Sequence, residues 1–346
     1  MDTNIILTDE DLEGKLKNYC YKDCDNNTNI EIQRCRGLVY KNDKPFLKSF
    51  GYTPVFTKDN VPLELRNISS FRFFESYEGT LLRLFYNDIN DKWYLSSHRK
   101  LDAHNSFWGG RETFGERFNK FIKKEEYSKL NKDYNYMFII TPTQSNRIVC
   151  VENLNKVLHV GTYDKNFNLS YDYDIGIPRP AEFIFQTFSE LQACVENTNY
   201  KLLQGILMCD PVNQVNYKIM NDTYKYYYDI RDNSPSVKFR YLQLRGDSIK
   251  RNVLLEMYPN FCEEFQKYEG LLLKSCRFIL SNYIKRFVKK EYVNISPEEY
   301  KIMKECHTWH LRNKKQNIVT INQVIKIMNK QTPVHLNRII KIYKNK

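Results

Sequence analysis

The chain has 346 residues, among them 26 Tyr and 21 Phe, and it carries a formal net charge of +12. This length is sufficient for a sizeable core and for two domains. No apolar run approaches the roughly 18 residues of a transmembrane helix, and the acidic N-terminus lacks the basic-then-apolar order of a signal peptide. The composition therefore argues against a membrane protein, and we expect no membrane partner.

Cysteine usage predicts a reducing compartment. The nine cysteines are scattered and their number is odd, so they predict no disulfide framework. Two loose groups, Cys20 with Cys24 and Cys306 with His307 and His310, lack the spacing of a metal site, and we predict no bound metal. The abundance of Asn, Lys, Ile and Tyr is typical of an AT-rich genome such as that of a large DNA virus. We expect a cytoplasmic protein, located in the host cytoplasm, a virus factory or the virion.

The first predicted elements are a helix and two strands. Residues 8–19 predict a short helix with Thr8 as its N-cap. Residues 31–41 alternate between apolar and polar side chains, which predicts a strand. A turn at Asn42 and Asp43 then leads into a second strand over residues 45–56.

The central stretch, residues 71–85 (FRFFESYEGTLLRLF), predicts a strand, a tight turn at Glu78 and Gly79, and a second strand. We expect the turn to need the backbone freedom of Gly79. A third strand completes a meander. Residues 112–131 follow with apolar side chains at helical spacing, which predicts an amphipathic helix.

The second half of the chain changes from strands to helices. The strand-rich part is predicted as strand, loop and two strands over 134–160, a helix over 182–198, and strands over 202–209 and around 217–221. The helical part is predicted as helices over 254–283, 297–311, 320–329 and 335–343. Residues 281–346 contain 15 Lys and Arg against 4 Asp and Glu, and such an excess predicts a polyanionic partner.

Several ordered motifs resemble those of the covalent nucleotidyltransferases, above all the ATP-dependent RNA ligases. Tyr77-Glu78-Gly79-Thr80 resembles the end of their motif I. Further matches, in chain order, are Arg36-Gly37, Lys48, Phe138, Pro142, Ile148, Val149, Gly205, Ile206, Leu207 and Lys218. The resemblance covers roughly residues 31–225.

The positions that carry the chemistry of this family hold other residues here. The family uses a lysine that attacks the α-phosphate of ATP, carboxylates that hold the ribose and assist a divalent metal, and a pair of lysines that neutralises phosphate. The corresponding positions hold Ser76 for the nucleophile, Ile139 and Gln204 for the two carboxylates, and Met220 for the second lysine. The resemblance therefore implies that no catalytic residue is intact.

These observations predict an α+β protein with two domains. Residues 1–235 are expected to form an antiparallel-sheet, RNA ligase-like nucleotidyltransferase domain, and residues 236–346 a basic helical domain. The expected nucleotide pocket comprises Glu78, Gly79, Arg83, Arg99 and Lys218. The expected RNA-binding residues are Arg36, Lys48, Lys285, Arg286, Lys289, Lys290, Lys314 and Lys315.

Three functions remain open at this point. The first is a protein that has lost covalent nucleotidyl transfer and binds RNA or serves as an assembly subunit. The second is an active RNA ligase or capping-type nucleotidyltransferase that uses ATP with Mg and a displaced lysine such as Lys48, Lys100 or Lys267. The third is a structural or virion protein whose basic tail docks on another protein.

Overall fold

The computed structural model describes residues 4–22 and 29–344, and its internal contacts divide the chain into two compact units, residues 1–229 and 230–346. The strands are β1 Ile5–Glu10, β2 Leu16–Tyr21, β3 Arg36–Lys41, β4 Lys44–Leu47, β5 Val55–Thr57, β6 Arg72–Ser76, β7 Thr80–Asn87, β8 Lys92–Ser97, β9 Asn135–Ile140, β10 Val157–Tyr163, β11 Leu169–Ser170, β12 Glu182–Phe183, β13 Gly205–Asp210 and β14 Val215–Met220. The helices are α1 Ile30–Arg34, α2 Phe114–Asn119, α3 Phe188–Glu196, α4 Asp222–Arg231, α5 Val237–Leu244, α6 Ser248–Met257, α7 Cys262–Tyr283, α8 Pro297–Arg312, α9 Ile321–Met328 and α10 Pro333–Lys344.

The first unit is built from three sheets. Sheet 1 has the order β1-β2-β3-β4, sheet 2 the order β11-β10-β9-β7-β8, and sheet 3 the order β12-β6-β13-β14-β5. Neighbouring strands are antiparallel except that β5 runs parallel to β14. Tyr136 and Phe138 of β9 are fully buried in one core with Phe118 of α2, while Ile206 and Ile219 belong to a separate core on sheet 3.

The predicted N-terminal helix is wrong. Residues 5–10 and 16–21 form the antiparallel hairpin β1–β2 instead. Side chains of β2 alternate between buried and partly exposed along the strand, with Leu16 and Asn18 completely buried, which is a strand period rather than a helical one. The hydroxyl of Thr8, expected to cap a helix, donates to the Asn18 carbonyl across the hairpin at 3.1 Å.

The turn at Glu78 and Gly79 connects two sheets rather than two paired strands. β6 pairs with β12 and β13 in sheet 3, whereas β7 pairs with β8 and β9 in sheet 2. The backbone of Gly79 does not adopt a positive φ, so the expected reason for this glycine is wrong. A Cβ at this position would lie 2.6 Å from the carbonyl oxygen of Ile140, so close approach to β9 is what requires glycine.

Three predicted segments are shorter than expected. The strand predicted over 31–41 begins only at Arg36, after the short helix α1. The helix predicted over 182–198 begins at Phe188, because residues 182–183 pair with β6 as β12. The helix predicted over 112–131 is limited to α2 and a separate 3₁₀ segment, although Phe114, Phe118 and Ile122 are buried as expected.

Every regular element described in the second unit, which the structure covers up to residue 344, is helical. Its core is assembled from apolar side chains of α5 to α10, among them Leu254, Leu272, Ile302, Val324 and Ile339. The predicted start of α8 is confirmed, because the Ser296 side chain accepts from the Glu299 backbone with Pro297 at the first helical position. Antiparallel sheets followed by helices confirm the predicted α+β class. Within residues 4–22 and 29–344, no helix combines the length and apolar character needed to cross a bilayer.

Candidate functional site

A cavity of about 540 Å³ lies between sheets 2 and 3 of the first unit. Its lining includes Ser76, Gly79, Ile139, Gln204 and Lys218, which are five of the residues that the motif resemblance singled out. They come from the ends of β6 and β9, the β6–β7 turn and the β13–β14 pair, and they are separated by up to 142 positions in the chain. Residues that are far apart in the chain, but belong to the ordered motifs, therefore line one cavity.

Ser76 occupies the expected nucleophile position at the end of β6. It pairs with Gly205 across the sheet and its side chain is almost fully buried. Its hydroxyl donates to the Gln204 Oε1 at 3.4 Å. An amide oxygen is not a general base, so this contact holds the serine in place without activating it.

A chain of hydrogen bonds connects the motif positions across the cavity wall. Lys218 Nζ donates to the same Gln204 Oε1, and Gln204 Nε2 donates to the Tyr224 hydroxyl at 2.9 Å. The Tyr224 hydroxyl in turn donates to Glu78 Oε2 at 3.0 Å. Tyr224 lies on α4 and is completely buried. The sequence motifs did not identify it, because one tyrosine among 26 carries no positional signal.

Lys218 is the one lysine among the described residues that lines this cavity. It lies on β14 opposite Leu207 of β13. Burial, reinforced by the positive charge of Arg36, lowers the pKa of Lys218 to about 8. A substantial minority of the amine is therefore neutral near physiological pH.

Glu78 has a structural role in this arrangement. Its buried carboxylate accepts backbone N–H groups from three consecutive residues, Ile148, Val149 at 2.8 Å and Cys150 at 3.0 Å. These residues lie in the loop between β9 and β10, and the strand predicted for Ile148 and Val149 is wrong because their amides bond to the carboxylate instead of to a neighbouring strand. Glu78 is 4% exposed and does not line the cavity.

Met220, the expected second-lysine position, lies beside the cavity rather than in it. It pairs with Gly205 at the end of β14 and is 4% exposed. A Cβ on Gly205 would lie 2.1 Å from the carbonyl oxygen of Ile219, so only glycine permits this strand spacing. Met220 is not one of the described residues that line the cavity.

An arginine bridge that the sequence reasoning missed spans another part of the same cavity. Arg72 forms two-pronged hydrogen bonds to Asp172 at 2.7 and 2.8 Å and to Glu182 at 2.7 Å for both contacts. Its guanidinium also lies over the rings of Phe74 and Tyr171, 5.1 and 5.5 Å from their centroids. The hydrogen bonds that the guanidinium donates to Glu182 and Asp172 raise the pKa of Arg72. The carboxylates of Asp172 and Glu182 are therefore both engaged by Arg72.

Arg83 and Arg99, both predicted for the nucleotide pocket, lie elsewhere. Arg83 is completely buried, and its guanidinium donates to the carbonyls of Gly37 and Ser97 and to Asn18 Oδ1. It thereby ties β7 to sheet 1 and β8 rather than facing the cavity. Arg99 is exposed and does not line the cavity.

Of the remaining cations considered in the first unit, only Arg36 lies at the cavity among the described residues. Arg36 lines the cavity, where its Nη1 donates to the Gly51 carbonyl at 3.4 Å and its buried Nε has no hydrogen-bond partner among the described residues. Lys48 lies in a separate surface depression and 5.0 Å from the ring of Phe167. Lys100 pairs with Asp9 at 3.2 Å. Neither Lys48 nor Lys100 lines the cavity.

The six cations predicted in the C-terminal part lie on the second unit. Five are exposed and Arg286 is partly exposed. None of the six forms an ion pair within the described ranges. They are Lys285, Arg286, Lys289, Lys290, Lys314 and Lys315. Lys267, named as a displaced nucleophile, is exposed on α7 of this unit.

The donor set of the cavity does not fit a divalent metal. Divalent magnesium prefers carboxylate oxygens, but Ile139 and Gln204 stand at the two carboxylate positions. Asp172 and Glu182 are already paired with the arginine bridge, and Glu75 accepts from the Tyr77 hydroxyl and a backbone amide. No group of three His, Cys, Asp or Glu able to hold a metal is found in the described part of the chain. Cys24 lies outside it.

Comparison with family models gives no match, but curated relatives exist. An "Immediate-early protein ICP-46 homolog" of Invertebrate iridescent virus 6 is 28% identical over 373 residues, covering 96% of this chain and 81% of the relative. Its namesake from Invertebrate iridescent virus 3 is 27% identical over 285 residues, covering 77% of this chain and 61% of the relative. Both relatives are viral proteins.

Solved structures similar to this chain include an archaeal ATP-dependent RNA ligase. The identity is 12% and the TM-score 0.46, over 73% of this chain and 67% of the ligase chain.

Proposed function

We propose that this protein uses an RNA ligase fold to bind RNA and has lost covalent nucleotidyl transfer. The observation that carries the proposal is the state of Ser76, whose hydroxyl contacts an amide oxygen where the family has a lysine amine. A serine hydroxyl needs a general base before it can attack phosphorus. The cavity offers it none by direct hydrogen bond among the described residues.

The missing carboxylates support the same proposal. Ile139 has no oxygen to offer a ribose, and the Gln204 amide is engaged by Lys218 and Tyr224. Loss of a single electrostatic group commonly costs about 10²–10³ in rate. Loss of the nucleophile together with these groups removes the covalent step.

The charge of the second unit supports RNA as the partner. Its six exposed or partly exposed cations have no partner carboxylate in the described ranges, so they remain available to phosphate. Lysine and arginine contacts to phosphate supply much of the affinity of RNA-binding proteins. We further propose action in the cytoplasm of an infected cell, where the eight cysteines of the described ranges, all free, would stay reduced.

Covalent labelling tests the loss of transfer. The purified chain is incubated with α-³²P-labelled ATP or GTP and either Mg²⁺ or Mn²⁺, and the denatured protein is examined for label. We expect no labelled band. A band that survives denaturation would overturn this part of the proposal.

RNA binding is tested through its dependence on salt. Replacement of Lys289, Lys290, Lys314 and Lys315 together by Gln should weaken binding and flatten the slope of log K against log salt by about 3. An unchanged slope would remove these residues from the interface. If the unaltered chain binds no RNA even at low salt, the third function, docking of the basic unit on another protein in a virion or assembly, gains the support instead.

One observation favours a second candidate function, an active nucleotidyltransferase with a displaced nucleophile. The displaced lysines considered from sequence do not line the cavity, but Lys218 does, and the pKa of its amine is lowered to about 8. In such a reaction the amine would form an N–P bond to a nucleoside triphosphate and pyrophosphate would leave. Mass spectrometry of the labelled protein decides between the two: a nucleotide adduct on the peptide containing Lys218, absent in Lys218→Met, would establish the second candidate.

A further inference from the structure

Three aromatic side chains of the second unit, Phe287, His307 and His310, lie next to one another in space. The ring of Phe287 stacks on that of His307 with centroids 3.8 Å apart and planes 15° apart. His307 lies 6.1 Å from His310, with planes 28° apart. All three side chains are partly exposed, and we call them the ring ladder. Phe287 belongs to a π-helical segment, Ile284–Val288, a local irregularity that often marks functional sites.

Two lysines from different elements adjoin this ladder in the chain: Lys290 lies three positions after Phe287, and Lys314 lies four positions after His310. Burial, followed by the positive charges of His310, Lys290 and Lys314, lowers the pKa of His307. Lys290 follows the π-helical segment and Lys314 follows α8, and both are exposed. Neither forms an ion pair in the described ranges.

A further ring is available next to the ladder in sequence. Tyr292, two positions after Lys290, is 90% exposed. A tyrosine this exposed contributes almost nothing to the core of its own unit, and its flat ring is free to contact another molecule. Rings alternating with unpaired cations are the combination with which proteins hold unpaired bases and their phosphates.

We propose that the ring ladder, together with Tyr292, Lys290 and Lys314, binds single-stranded RNA, with an unpaired base stacked on the rings and the adjoining phosphates on the lysines. This inference rests on the proposed function and adds to it the form of the RNA and the place of contact. Stacking requires a base whose face is open, and a duplex covers both faces of every internal base. Lysines alone would accept any polyanion, so the rings are what favour a single strand.

Fluorescence anisotropy with the full chain tests this inference. The probe is a fluorescein-labelled single-stranded RNA of about 16 nucleotides, and the same RNA annealed to its complement serves as the duplex. We expect the single strand to bind at least about tenfold more tightly than the duplex. Tyr292→Ala should weaken binding of the single strand about tenfold without changing the salt slope, and Tyr292→Phe should retain the affinity.

The lysines are tested by a matched pair of double variants. Lys290→Gln with Lys314→Gln should reduce the salt slope by about 1.4. Lys250→Gln with Lys267→Gln removes the same charge from exposed positions on α6 and α7; Lys267 lies about 24 Å along α7 from its C-terminal end. This control should leave the slope nearly unchanged.

The outcomes separate the inference from the proposed function. If the unaltered chain binds RNA but single strand and duplex bind equally, or if Tyr292→Ala and the Lys290 and Lys314 variant bind as well as the unaltered chain, the ladder is not the site although RNA binding stands. If polyglutamate displaces the RNA at equal charge concentration, the surface fits an acidic protein instead. Absence of any RNA binding would overturn both.

Discussion

Residues of the same motif have different roles at this site. Ser76 and Glu78 are two positions apart, yet Ser76 faces the cavity while Glu78 accepts three backbone amides of the β9–β10 loop. Without this carboxylate, the buried N–H groups of Val149 and Cys150 would each cost about 1–3 kcal/mol if left unsatisfied. The fold therefore needs Glu78 whether or not a reaction occurs. An amine at position 76 would serve only the reaction.

The lowered pKa of Lys218 leads to a pH-dependent stability. Because the folded pKa is about 8 and the unfolded value near 10.5, the unfolded chain binds more protons between these values and stability rises with pH through this window. The full shift corresponds to roughly 3 kcal/mol, and solvent at the partly exposed side chain reduces it, so we expect about 2 kcal/mol. Denaturant unfolding of Lys218→Met and the unaltered chain should show their difference changing by this amount from pH 8 to 10.5.

Lys44→Met provides the control for that measurement, because Lys44 is exposed on β4 in the same unit. Its difference from the unaltered chain should stay constant over the same pH range. A Lys218→Met difference that is equally flat would show that the amine is not desolvated in solution.

Elements were predictable from sequence where one local pattern had no competitor. The helices α8 and α9 carry apolar side chains at helical spacing and clear caps such as Ser296, so the predictions over 297–311 and 320–329 are confirmed. The helix predicted over 254–283 is wrong in its bounds, because the helix is interrupted at Pro259 between α6 and α7, and α5 was not predicted. The β1–β2 hairpin was missed because Thr8 and the acidic residues after it also fit a helix start, and only pairing with β3 selects the strand. Tertiary partners decide such segments.

The candidate site was predictable only in part, for a related reason. Motif order identified Gln204 and Lys218, since strands adjacent in a sheet bring their ends together. Arg83 was misplaced because an arginine in an apolar strand has the same sequence pattern whether it faces a ligand or holds carbonyls. The bridge from Arg72 to Asp172 and Glu182 joins residues about 100 positions apart, and no local pattern encodes such a contact.

The junction between β6 and β7 gives a prediction about packing. Gly79→Ala would drive a methyl group against the Ile140 carbonyl, so we expect a loss of about 2 kcal/mol in the free energy of unfolding. Gly110→Ala is the matched control, because nothing lies within 4 Å of a Cβ there, and it should change stability by no more than about 0.5 kcal/mol. Equal effects of the two changes would contradict the close approach of the turn to β9.

A buried carboxylate joins three helices of the second unit. Glu299 of α8 accepts from the hydroxyls of Ser275 on α7 at 3.1 Å and Tyr343 on α10 at 2.5 Å. Glu299→Ala leaves both hydroxyls without this partner and opens a cavity, so we expect a loss of about 3 kcal/mol by thermal or denaturant unfolding. The neighbouring change Glu298→Ala, at a partly exposed side chain, should cost no more than about 1 kcal/mol; a comparable loss there would argue against the three-helix contact.

At the scale of the whole molecule, each unit has its own hydrophobic core. The buried side chains of α5 to α10 form one cluster that draws entirely on residues 230–346. A domain with its own core can fold alone. Expressed as a fragment, residues 230–346 should therefore retain helical circular dichroism and unfold in one cooperative transition.

The fragment also tests whether the second unit by itself accounts for the RNA binding that we propose. If the proposal holds, it should bind RNA with the same dependence on salt although it lacks the cavity. A fragment that is non-cooperative on heating, or that binds the fluorescent dye ANS as loosely packed states do, would show that the second core depends on the rest of the chain.

The arginine bridge has a consequence for what can enter the cavity. Arg72 and Glu182 belong to sheet 3, while Asp172 follows β11 of sheet 2, so one guanidinium fastens opposite walls to each other. These hydrogen bonds fix the distance between the two walls of the cavity. A guest that fits this width meets a preformed slot, and a wider one must first unfasten four charged hydrogen bonds.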